Sequence, residues 1–345
     1  ADPRTGLRAT GVMTDRDRLL APQGTDGPAR HIAGRRRDDA RAFASAGDFW
    51  PGDPAPDIGG GSVYSLDAAS GTATLCDVGY DALTGAAFAY AEQAERARIM
   101  QSRAVDTLPL SDRPVIGLFS IGRCGSTLLG RVLSAAGATV LSELDAFTAL
   151  GPLSRRWPGD AQVQDRLTAI AAHVKGHAAT HAPEGPLVLK FRSQSMQAAR
   201  AICGAGVTPV LLTRAFPDWA ASNARHFPDD PLDGRIDAMA HGLSEMADLS
   251  PSILDYRALL ADPVAAAALC LGHPVPPERQ GKVRACLDRD SQAGTALAAS
   301  RATTGPEHLS RAKRAWSRHR RADSLSALGL GADLLPLRTQ GRGAA

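Results

Sequence analysis

The stretch PVIGLFSIGRCGSTLLGRVLSAAGATVLSELDAF, residues 114–147, decides the fold. It opens with an apolar run that predicts a buried strand, followed by the glycine-containing turn IGRCG. A helix is predicted to begin near Ser126, directly after that turn. Glycines let backbone N–H groups approach an anion closely, and a helix N-terminus adds free donors and a favourable dipole. The stretch therefore predicts an anion-binding loop, and the alternative is a tight strand-to-helix turn without a ligand.

Alternating apolar runs and helical stretches continue from Arg113 to about residue 275. Such alternation indicates a parallel sheet covered by helices. We expect a P-loop-type three-layer α/β fold in which helices flank a central parallel sheet. The predicted strands are PVIGLFS, TVLS, LVLKF and TPVLLT, and helices are predicted to begin near Ser126, Ala161 and Ser195 and to cover Asp218–His226 and Asp237–Leu249.

Composition divides the chain into four predicted segments. Residues 1–45 are rich in Arg, Asp, Gly and Pro and are predicted to form a disordered arm. Residues 46–108 are predicted to form a small subdomain with a hairpin in GSVYSLDAASGTATLCDVG and a helix in DALTGAAFAYAEQAERARIM. Residues 109–275 form the predicted core, and residues 276–345 form a predicted helical cap and tail.

The overall composition limits the classes of partner. Apolar residues make up 44% of the chain and charged residues 22%, as in ordinary globular proteins, and the net charge of +3 is too small to predict a nucleic-acid partner. Five cysteines without CxxC pairs favour a reducing compartment, so we predict a cytoplasmic protein. No apolar run approaches the length of about 18 residues that a spanning helix needs, and no apolar leader is present, so no membrane partner is predicted. The oligomeric state is not predictable.

The predicted loop lacks the lysine of the nucleotide-binding pattern GxxxxGK[ST]. In that pattern the lysine binds the terminal phosphates and the hydroxyl holds magnesium. Here Gly125 directly precedes Ser126, and a basic residue, Arg123, lies at the front of the loop. A guanidinium group and backbone donors can bind an anion without a metal. A magnesium-dependent kinase is therefore disfavoured, all the more because no strand ending in Asp is apparent.

A second candidate anion site lies in PVLLTRAFPDWAASNARHF. The predicted strand ends on Arg214, and Ser222 follows eight residues later on the next helix. Ligands of open parallel sheets bind at the carboxyl ends of the strands, so Arg214 and Arg123 are expected at the same edge. Two anion sites at one edge suit a ligand with phosphates at both ends. The alternative is that Arg214 only ends a strand and Ser222 faces solvent.

Three motifs in this order resemble the PAPS-dependent sulfotransferases. GRCGSTLL resembles their 5′-phosphosulfate loop, TRAFPDWAAS is similar to their 3′-phosphate motif, and LDYRALLADP resembles a Tyr-Glu-x-Leu-x-x-Asp-Pro segment, with Arg257 in place of the Glu. The resemblance spans residues 110–275. It implies a P-loop α/β fold and transfer of a sulfonate group from 3′-phosphoadenosine-5′-phosphosulfate (PAPS) to a hydroxyl or amine of a small-molecule acceptor. The implied product is 3′,5′-adenosine bisphosphate (PAP), and no metal cofactor is implied.

The resemblance also assigns roles to the residues of the two anion sites. Charge that develops on the sulfonate and on the leaving phosphate must be stabilised by preorganised donors, which gives Arg123 a catalytic as well as a binding role. Cys124 is interpreted as a small loop residue and not as a nucleophile. The 5′-phosphosulfate would be held by Arg123, Cys124, Gly125, Ser126 and Thr127, and the 3′-phosphate by Arg214 and Ser222.

The general base is a separate question. Many cytosolic members of the family use a His two residues after a catalytic Lys, and LKFRS places Lys190 in the lysine position but Arg192 where the His would be. Arginine is not deprotonated in proteins. We therefore predict Glu143 of VLSELDAF as the base, with Asp145 as the fallback, because a carboxylate near Arg123 stays ionised and can accept a proton. Stabilisation of a helix N-terminus would explain either acid equally well.

Two other functions stay open. One is a P-loop kinase that uses ATP and magnesium, although it would need the missing lysine. The other is a catalytically inactive sulfotransferase-like binding module, because fold alone does not determine function and Arg192 replaces the usual base.

Three histidines recur at helical spacing and raise the question of a metal site. His173, His177 and His181 lie at i, i+4 and i+8. The following HAPEG segment predicts that the helix ends near His181. A solvated helix face is the favoured interpretation, and we expect no metal site.

Overall fold

The computed structural model of the chain describes residues 14–21, 26–31, 57–226, 232–288 and 328–330. These residues form a four-stranded antiparallel sheet and a five-stranded parallel sheet flanked by helices. The parallel sheet with its helices is a three-layer α/β arrangement of the kind that the sequence predicts. Most of the predicted arm and most of the predicted C-terminal cap and tail lie outside the described residues.

Part of the predicted arm is folded. Helix α1 (Asp15–Leu20) begins with a capping box, in which the Thr14 side chain accepts a hydrogen bond from the backbone N–H of Asp17 while the Asp17 side chain accepts one from Thr14. Arg16 Nε lies 2.5 Å from Asp160 Oδ2 and joins α1 to the main core. Disorder is therefore the wrong prediction for residues 14–21, because local capping and a long-range ion pair stabilise them.

The small sheet contains the predicted hairpin. Its strands are β1 (Arg30–His31), β2 (Ser62–Asp67), β3 (Thr72–Cys76) and β4 (Ile99–Ala104). They pair antiparallel in the order β1-β4-β3-β2. The predicted hairpin corresponds to β2 and β3, whereas β1 and β4 were not predicted.

The single helix predicted after the hairpin is wrong. Two short helices, α2 (Tyr80–Leu83) and α3 (Ala89–Arg96), take its place, and the last residues of the predicted helix lie in β4. Gly85 between the two helices has a φ of 83°, a left-handed conformation that ends a helix. The backbone of β4 pairs with β3 and thereby satisfies the hydrogen bonds of both strands.

The large sheet is entirely parallel, with the strand order β6-β7-β5-β8-β9. The first four strands along the chain correspond to the predicted ones. The fifth was not predicted, because its sequence SILD is short and lies half exposed at the edge of the sheet, without a continuous apolar run. The strands are β5 (Val115–Ser120), β6 (Thr139–Ser142), β7 (Leu187–Lys190), β8 (Val207–Thr213) and β9 (Ser252–Asp255).

The helices that connect these strands begin largely where the sequence predicts. One exception is the segment at Ser195, which lies in a 3-10 turn (Ser193–Ala198) ahead of a short helix, and another is the helix predicted over Asp237–Leu249, which begins at Leu232 and ends at Met246. One helix of the predicted C-terminal cap, α12, falls within the described residues. The helices are α4 (Ser126–Ala136), α5 (Leu150–Arg156), α6 (Ala161–His181), α7 (Ala199–Gly204), α8 (Phe216–His226), α9 (Leu232–Met246), α10 (Tyr256–Ala261), α11 (Pro263–Leu271) and α12 (Pro277–Ala285).

Buried aromatic rings support the edge of the sheet at which the parallel strands end. The ring centroid of Phe191, the residue after β7, lies 4.7 Å from that of Phe119 in β5 and 5.1 Å from that of Phe147. Packing of this kind holds the carboxyl ends of β5, β6 and β7 in register.

None of the helices in the described part of the chain combines the length and apolar character that crossing a membrane requires.

Candidate functional site

The predicted anion-binding loop connects β5 to α4 and has an unusual backbone. We call residues 121–125 the glycine loop. Three of them have left-handed φ angles: 73° at Gly122, 52° at Arg123 and 91° at Gly125. For the arginine this conformation costs about 1–2 kcal/mol, and such strain clusters at functional sites. Only the two glycines adopt it without cost.

The N-terminus of α4 has no side-chain cap. Gly125 is its N-cap residue and makes no side-chain hydrogen bond, so the first N–H groups of the helix are not capped from that position. A Cβ atom on Gly125 would lie 2.3 Å from a ring carbon of Tyr256, so the glycine is required by close approach as well as by its φ angle. Ser126, half-buried, and Thr127, buried, are the first two residues of the helix.

Cys124 turns its side chain into the core. The thiol is fully buried and donates to the backbone oxygen of Leu212, at an Sγ to O distance of 3.4 Å. Burial raises the pKa of this thiol to about 11. It is therefore protonated at neutral pH, and only the backbone of Cys124 is available to an anion at the loop.

The two predicted anion sites are joined by direct hydrogen bonds. Arg123 Nε donates to Ser222 Oγ at 3.3 Å, and Arg214 Nη1 donates to the backbone oxygen of Arg123 at 3.0 Å. Ser222 is buried, so the alternative that it faces solvent is wrong. The Arg214 guanidinium carbon lies 4.6 Å from the ring centroid of Tyr256. The sites that the sequence predicts as separate thus form one cluster.

One atom in this cluster lacks a hydrogen bond. Arg214 Nε is buried and has no partner among the residues that the structure describes. A buried donor without a partner is costly, and a bound anion would relieve that cost. The indole Nε1 of Trp219 donates to the backbone oxygen of Ile121 at 3.1 Å and ties the start of the glycine loop to α8. Neither Tyr256 nor Trp219 was predicted as part of the site.

Glu143 and Lys190 form a buried ion pair at the same sheet edge. Lys190 Nζ lies 2.5 Å from Glu143 Oε1, with the lysine side chain fully buried and the glutamate side chain 17% exposed. Glu143 also has a left-handed φ of 61°, and its N–H donates to the backbone oxygen of Lys190 at 2.7 Å. Glu143 precedes no helix directly, so stabilisation of a helix N-terminus does not explain it. That explanation does fit Asp145, the first residue of a 3-10 turn.

Arg192 is paired with Asp145 in the same way. Its Nη1 lies 2.5 Å from Asp145 Oδ1, and its guanidinium carbon lies 4.8 Å from the ring centroid of Tyr90. Burial alone would lower the pKa of Arg192, but the hydrogen bond and charge of Asp145 outweigh it, with smaller contributions from Glu143 and Tyr90, so the pKa is raised. A permanent cation therefore occupies the position where the resemblance to the sulfotransferases would place a histidine base.

The glycine loop lies beside the end of β7, and the two acids follow β6, one strand further from the loop. In the sheet, Leu118 of β5 pairs with Lys190 of β7, which in turn pairs with Ser142 of β6. A Cβ atom on Gly122 would lie 3.4 Å from Ser193 Oγ, so the loop reaches the segment after β7. Ser193 was not predicted as a site residue, because its proximity to Gly122 follows from the pairing of β5 with β7 and not from a local sequence pattern.

The expectation that no strand ends in Asp changes. The strand β9 ends in Asp255, although no strand ending in Asp was apparent from the sequence. The strand β8 separates β9 from β5, and Asp255 Oδ1 accepts a hydrogen bond from the N–H of Arg257 at the start of α10. The next residue, Tyr256, packs against Gly125, so this strand end also lies near the glycine loop, and the argument against a magnesium-dependent kinase rests on the missing lysine alone.

The histidine stripe on α6 is not a solvated face. His177 is buried, and its Nδ1 hydrogen-bonds with the Tyr80 hydroxyl at 3.1 Å. Burial lowers the pKa of His177 to about 4, and the positive charges of His181 and Arg103 add to the effect. The helix ends at His181, as predicted. Within the described residues no group of three or more His, Cys, Asp or Glu side chains could hold a metal ion.

No protein-family model matches the chain, and no curated protein sequence matches it. The chemistry of the site therefore follows from its own residues. They form two adjacent groups at the carboxyl edge of the parallel sheet. One group offers cations, backbone donors and hydroxyls to an anion, and the other holds two carboxylates that are each paired with a cation.

Proposed function

We propose that the chain is a PAPS-dependent sulfotransferase that transfers a sulfonate group to a hydroxyl or amine of a small-molecule acceptor and releases PAP. One observation carries the proposal. Arg123, Arg214 and Ser222 are hydrogen-bonded into one cluster at the N-terminus of α4, and Glu143 lies at the same sheet edge. An anion site at the same sheet edge as a fixed carboxylate suits transfer of a sulfonate group from a phosphosulfate donor to a hydroxyl.

The residues of the cluster fit a donor with two anionic ends. The N–H groups at the start of α4, with Ser126 and Thr127, would hold the 5′ end. Arg214 and Ser222 would hold the 3′-phosphate, which could accept a hydrogen bond from the unpaired Nε of Arg214. Arg123 Nε donates to Ser222, so its terminal nitrogens would bind an anionic oxygen while the Ser222 hydroxyl donates its own proton to the 3′-phosphate.

The cations of the cluster stabilise the charge that develops during transfer. PAPS would supply an activated sulfonate whose bond to the 5′-phosphate breaks as a bond to the acceptor oxygen forms. Arg123 and the N–H groups of α4 would then stabilise the negative charge left on the phosphate, and the loss of one such donor typically raises the barrier by about 2.7–4 kcal/mol. Guanidinium groups can meet this need without a metal ion.

Glu143 would take the proton from the attacking hydroxyl. Its carboxylate is held by Lys190, and it keeps a partly exposed surface through which an acceptor can reach it. Lys190 is fully buried and donates to Glu143, so we assign it a positioning role and not direct contact with the sulfonate.

All five cysteines are free thiols, which suits a reducing compartment such as the cytoplasm.

Thermal unfolding with three ligands tests the proposal. Wild-type protein is measured with PAP, with ADP and with ATP plus magnesium, and a ligand at about 100 times its Kd should stabilise the fold by about 2.7 kcal/mol. We expect PAP to raise the Tm most and Arg214→Ala to abolish that shift. The matched control is Arg284→Ala, an exposed arginine on α12 that hydrogen-bonds with Gln280 of the same helix. Stabilisation by ATP plus magnesium alone would favour the kinase, and no stabilisation by PAP would contradict the proposal.

A transfer assay separates an enzyme from an inactive binding module. Release of PAP from PAPS is measured with a panel of hydroxyl and amine acceptors. Acceptor-dependent release that Glu143→Gln abolishes supports the sulfotransferase. PAP binding without any transfer to the panel would instead favour the binding module.

A further inference from the structure

Six side chains beside the glycine loop form a group that donor binding does not use. Two are acids after β6, two are cations at the end of β7, and two are aromatic residues at the start of α3 in the small-sheet region. We call this group the acceptor-side cluster. It consists of Phe88, Tyr90, Glu143, Asp145, Lys190 and Arg192.

The charges of the acceptor-side cluster are balanced. Lys190 pairs with Glu143 and Arg192 pairs with Asp145, each at 2.5 Å. The two cations and two acids therefore sum to zero. An anionic ligand would meet two carboxylates whose neighbouring cations are already engaged, so its approach gains little attraction. An uncharged hydroxyl group can donate to either carboxylate without that penalty.

The aromatic residues lie over the cations. Lys190 Nζ is 5.6 Å from the ring centroid of Phe88, the Arg192 guanidinium carbon is 4.8 Å from that of Tyr90, and the two ring centroids are 5.9 Å apart. Both aromatic side chains are half-buried and keep part of their surface exposed. Neighbouring aromatic surfaces favour a ligand with a ring.

We propose that the acceptor-side cluster binds the acceptor and selects an uncharged, hydroxyl-bearing ring compound over an anionic one. The inference rests on the proposed function for the identity of the reaction. It adds the charge and shape of the substrate, and it assigns Asp145, Arg192 and Tyr90 as residues that determine specificity. A purely structural role, in which the cluster only joins the small-sheet region to the core, predicts no discrimination between neutral and anionic ligands.

A matched pair of ligands tests the selection. The probes are 4-nitrophenyl glucoside, which is neutral, and 4-nitrophenyl glucuronide, which carries one carboxylate on the same ring. Binding is measured by calorimetry with and without saturating PAP. We expect the wild type to prefer the glucoside by about tenfold or more, because one uncompensated charge in a partly buried site is worth at least that factor.

Removal of one acid should change the preference. Asp145→Asn leaves Arg192 without its carboxylate partner, so the glucuronide should gain affinity and the preference should fall by about tenfold. Tyr90→Ala should weaken glucoside binding by about three- to tenfold while leaving PAP binding unchanged. The matched control is Asp248→Asn, which removes an exposed acid paired with Arg200 ahead of β9 and should change neither affinity.

The results distinguish this inference from the proposed function. Equal binding of the two glycosides, binding of neither at millimolar concentration, or an unchanged preference in Asp145→Asn overturns the selection. If Asp145→Asn does not fold, Tyr90→Ala decides the matter, because unaltered glucoside affinity in that variant excludes the aromatic contact. Failure of PAP to bind contradicts the proposed function alone, since the preference between the glycosides is also measured without PAP.

Discussion

Arg123 and Ser222 are 99 residues apart in the chain, yet Arg123 Nε donates to Ser222 Oγ at 3.3 Å. The contact connects the loop after β5 with the helix after β8, and these two strands are neighbours in the parallel sheet. A side chain that contacts both halves of the proposed anion site can respond to a ligand at either end.

Ser222→Ala should weaken PAP binding. The hydroxyl is buried beside Arg123 and would lose its hydrogen bond to the 3′-phosphate, and a hydrogen bond to a charged group contributes about 1.5–3 kcal/mol, or roughly 10- to 150-fold in Kd. Calorimetric titration with PAP measures the change. Ser70→Ala in the turn between β2 and β3 is the matched control and should bind PAP as the wild type does. An unchanged Kd for Ser222→Ala would exclude this serine from the site.

Glu143→Gln should lose both activity and stability. The substitution leaves the fully buried Lys190 without its charged partner, and such a loss destabilises proteins by about 3–5 kcal/mol. The double variant Glu143→Gln with Lys190→Met should recover most of the free energy of unfolding in urea but none of the transfer activity. Recovery of activity in the double variant would show that Glu143 is not the base.

Gly125→Ala should destabilise the fold and impair the anion site. The new Cβ would lie 2.3 Å from a ring carbon of Tyr256 at a φ of 91°, so both packing and backbone are strained, at a cost of about 1–3 kcal/mol. Gly281→Ala is the control: nothing lies within 4 Å of its Cβ position on α12, and the change should stabilise the helix by about 0.5–1 kcal/mol. Equal effects of the two substitutions on the urea midpoint would contradict the close packing of Tyr256 against the loop.

The free energy of unfolding should depend on His177 at acidic pH. Its pKa is lowered to about 4 in the folded state from an ordinary value near 6.5, so the unfolded chain binds more protons between these values. Stability is therefore fully present above pH 6.5 and falls as the pH decreases toward 4, by roughly 3 kcal/mol for this group.

Comparison with His177→Gln isolates that contribution. Other groups also titrate in this range, so the measured quantity is the difference between the two slopes of unfolding free energy against pH. The variant should show a shallower slope between pH 6.5 and 4. Parallel curves for both proteins would indicate that His177 titrates normally in the folded chain.

The parts of the fold that depend on local pattern could be predicted. The strand, glycine loop and helix around Ser126 follow from apolar runs and turn residues that are adjacent in sequence. The strand β9 could not be recognised, because four residues at a sheet edge, of which only two are buried, carry no periodic signal. The continuous helix predicted after the hairpin failed because the pairing of β4 with β3 overrode local helical spacing.

The partners of the site residues were less accessible from the sequence. Arg192 could be identified as a departure from the expected histidine, but its pairing with Asp145 depends on β6 and β7 being neighbours in the sheet. The burial of His177 likewise depends on Tyr80 in a helix next to the small sheet. Contacts of this kind arise from strand order and domain packing, which a single sequence does not encode as a local pattern.

Glu143 is tied to Lys190 at both ends, by its N–H to the lysine carbonyl and by its carboxylate to the lysine ammonium. Its backbone adopts a conformation that a non-glycine residue rarely reaches unless its surroundings impose it. If Glu143 is the base, as we propose, it has lost its rotational freedom before the substrate hydroxyl arrives. The entropy of aligning it is therefore lost once, when the chain folds, and not again in every reaction cycle.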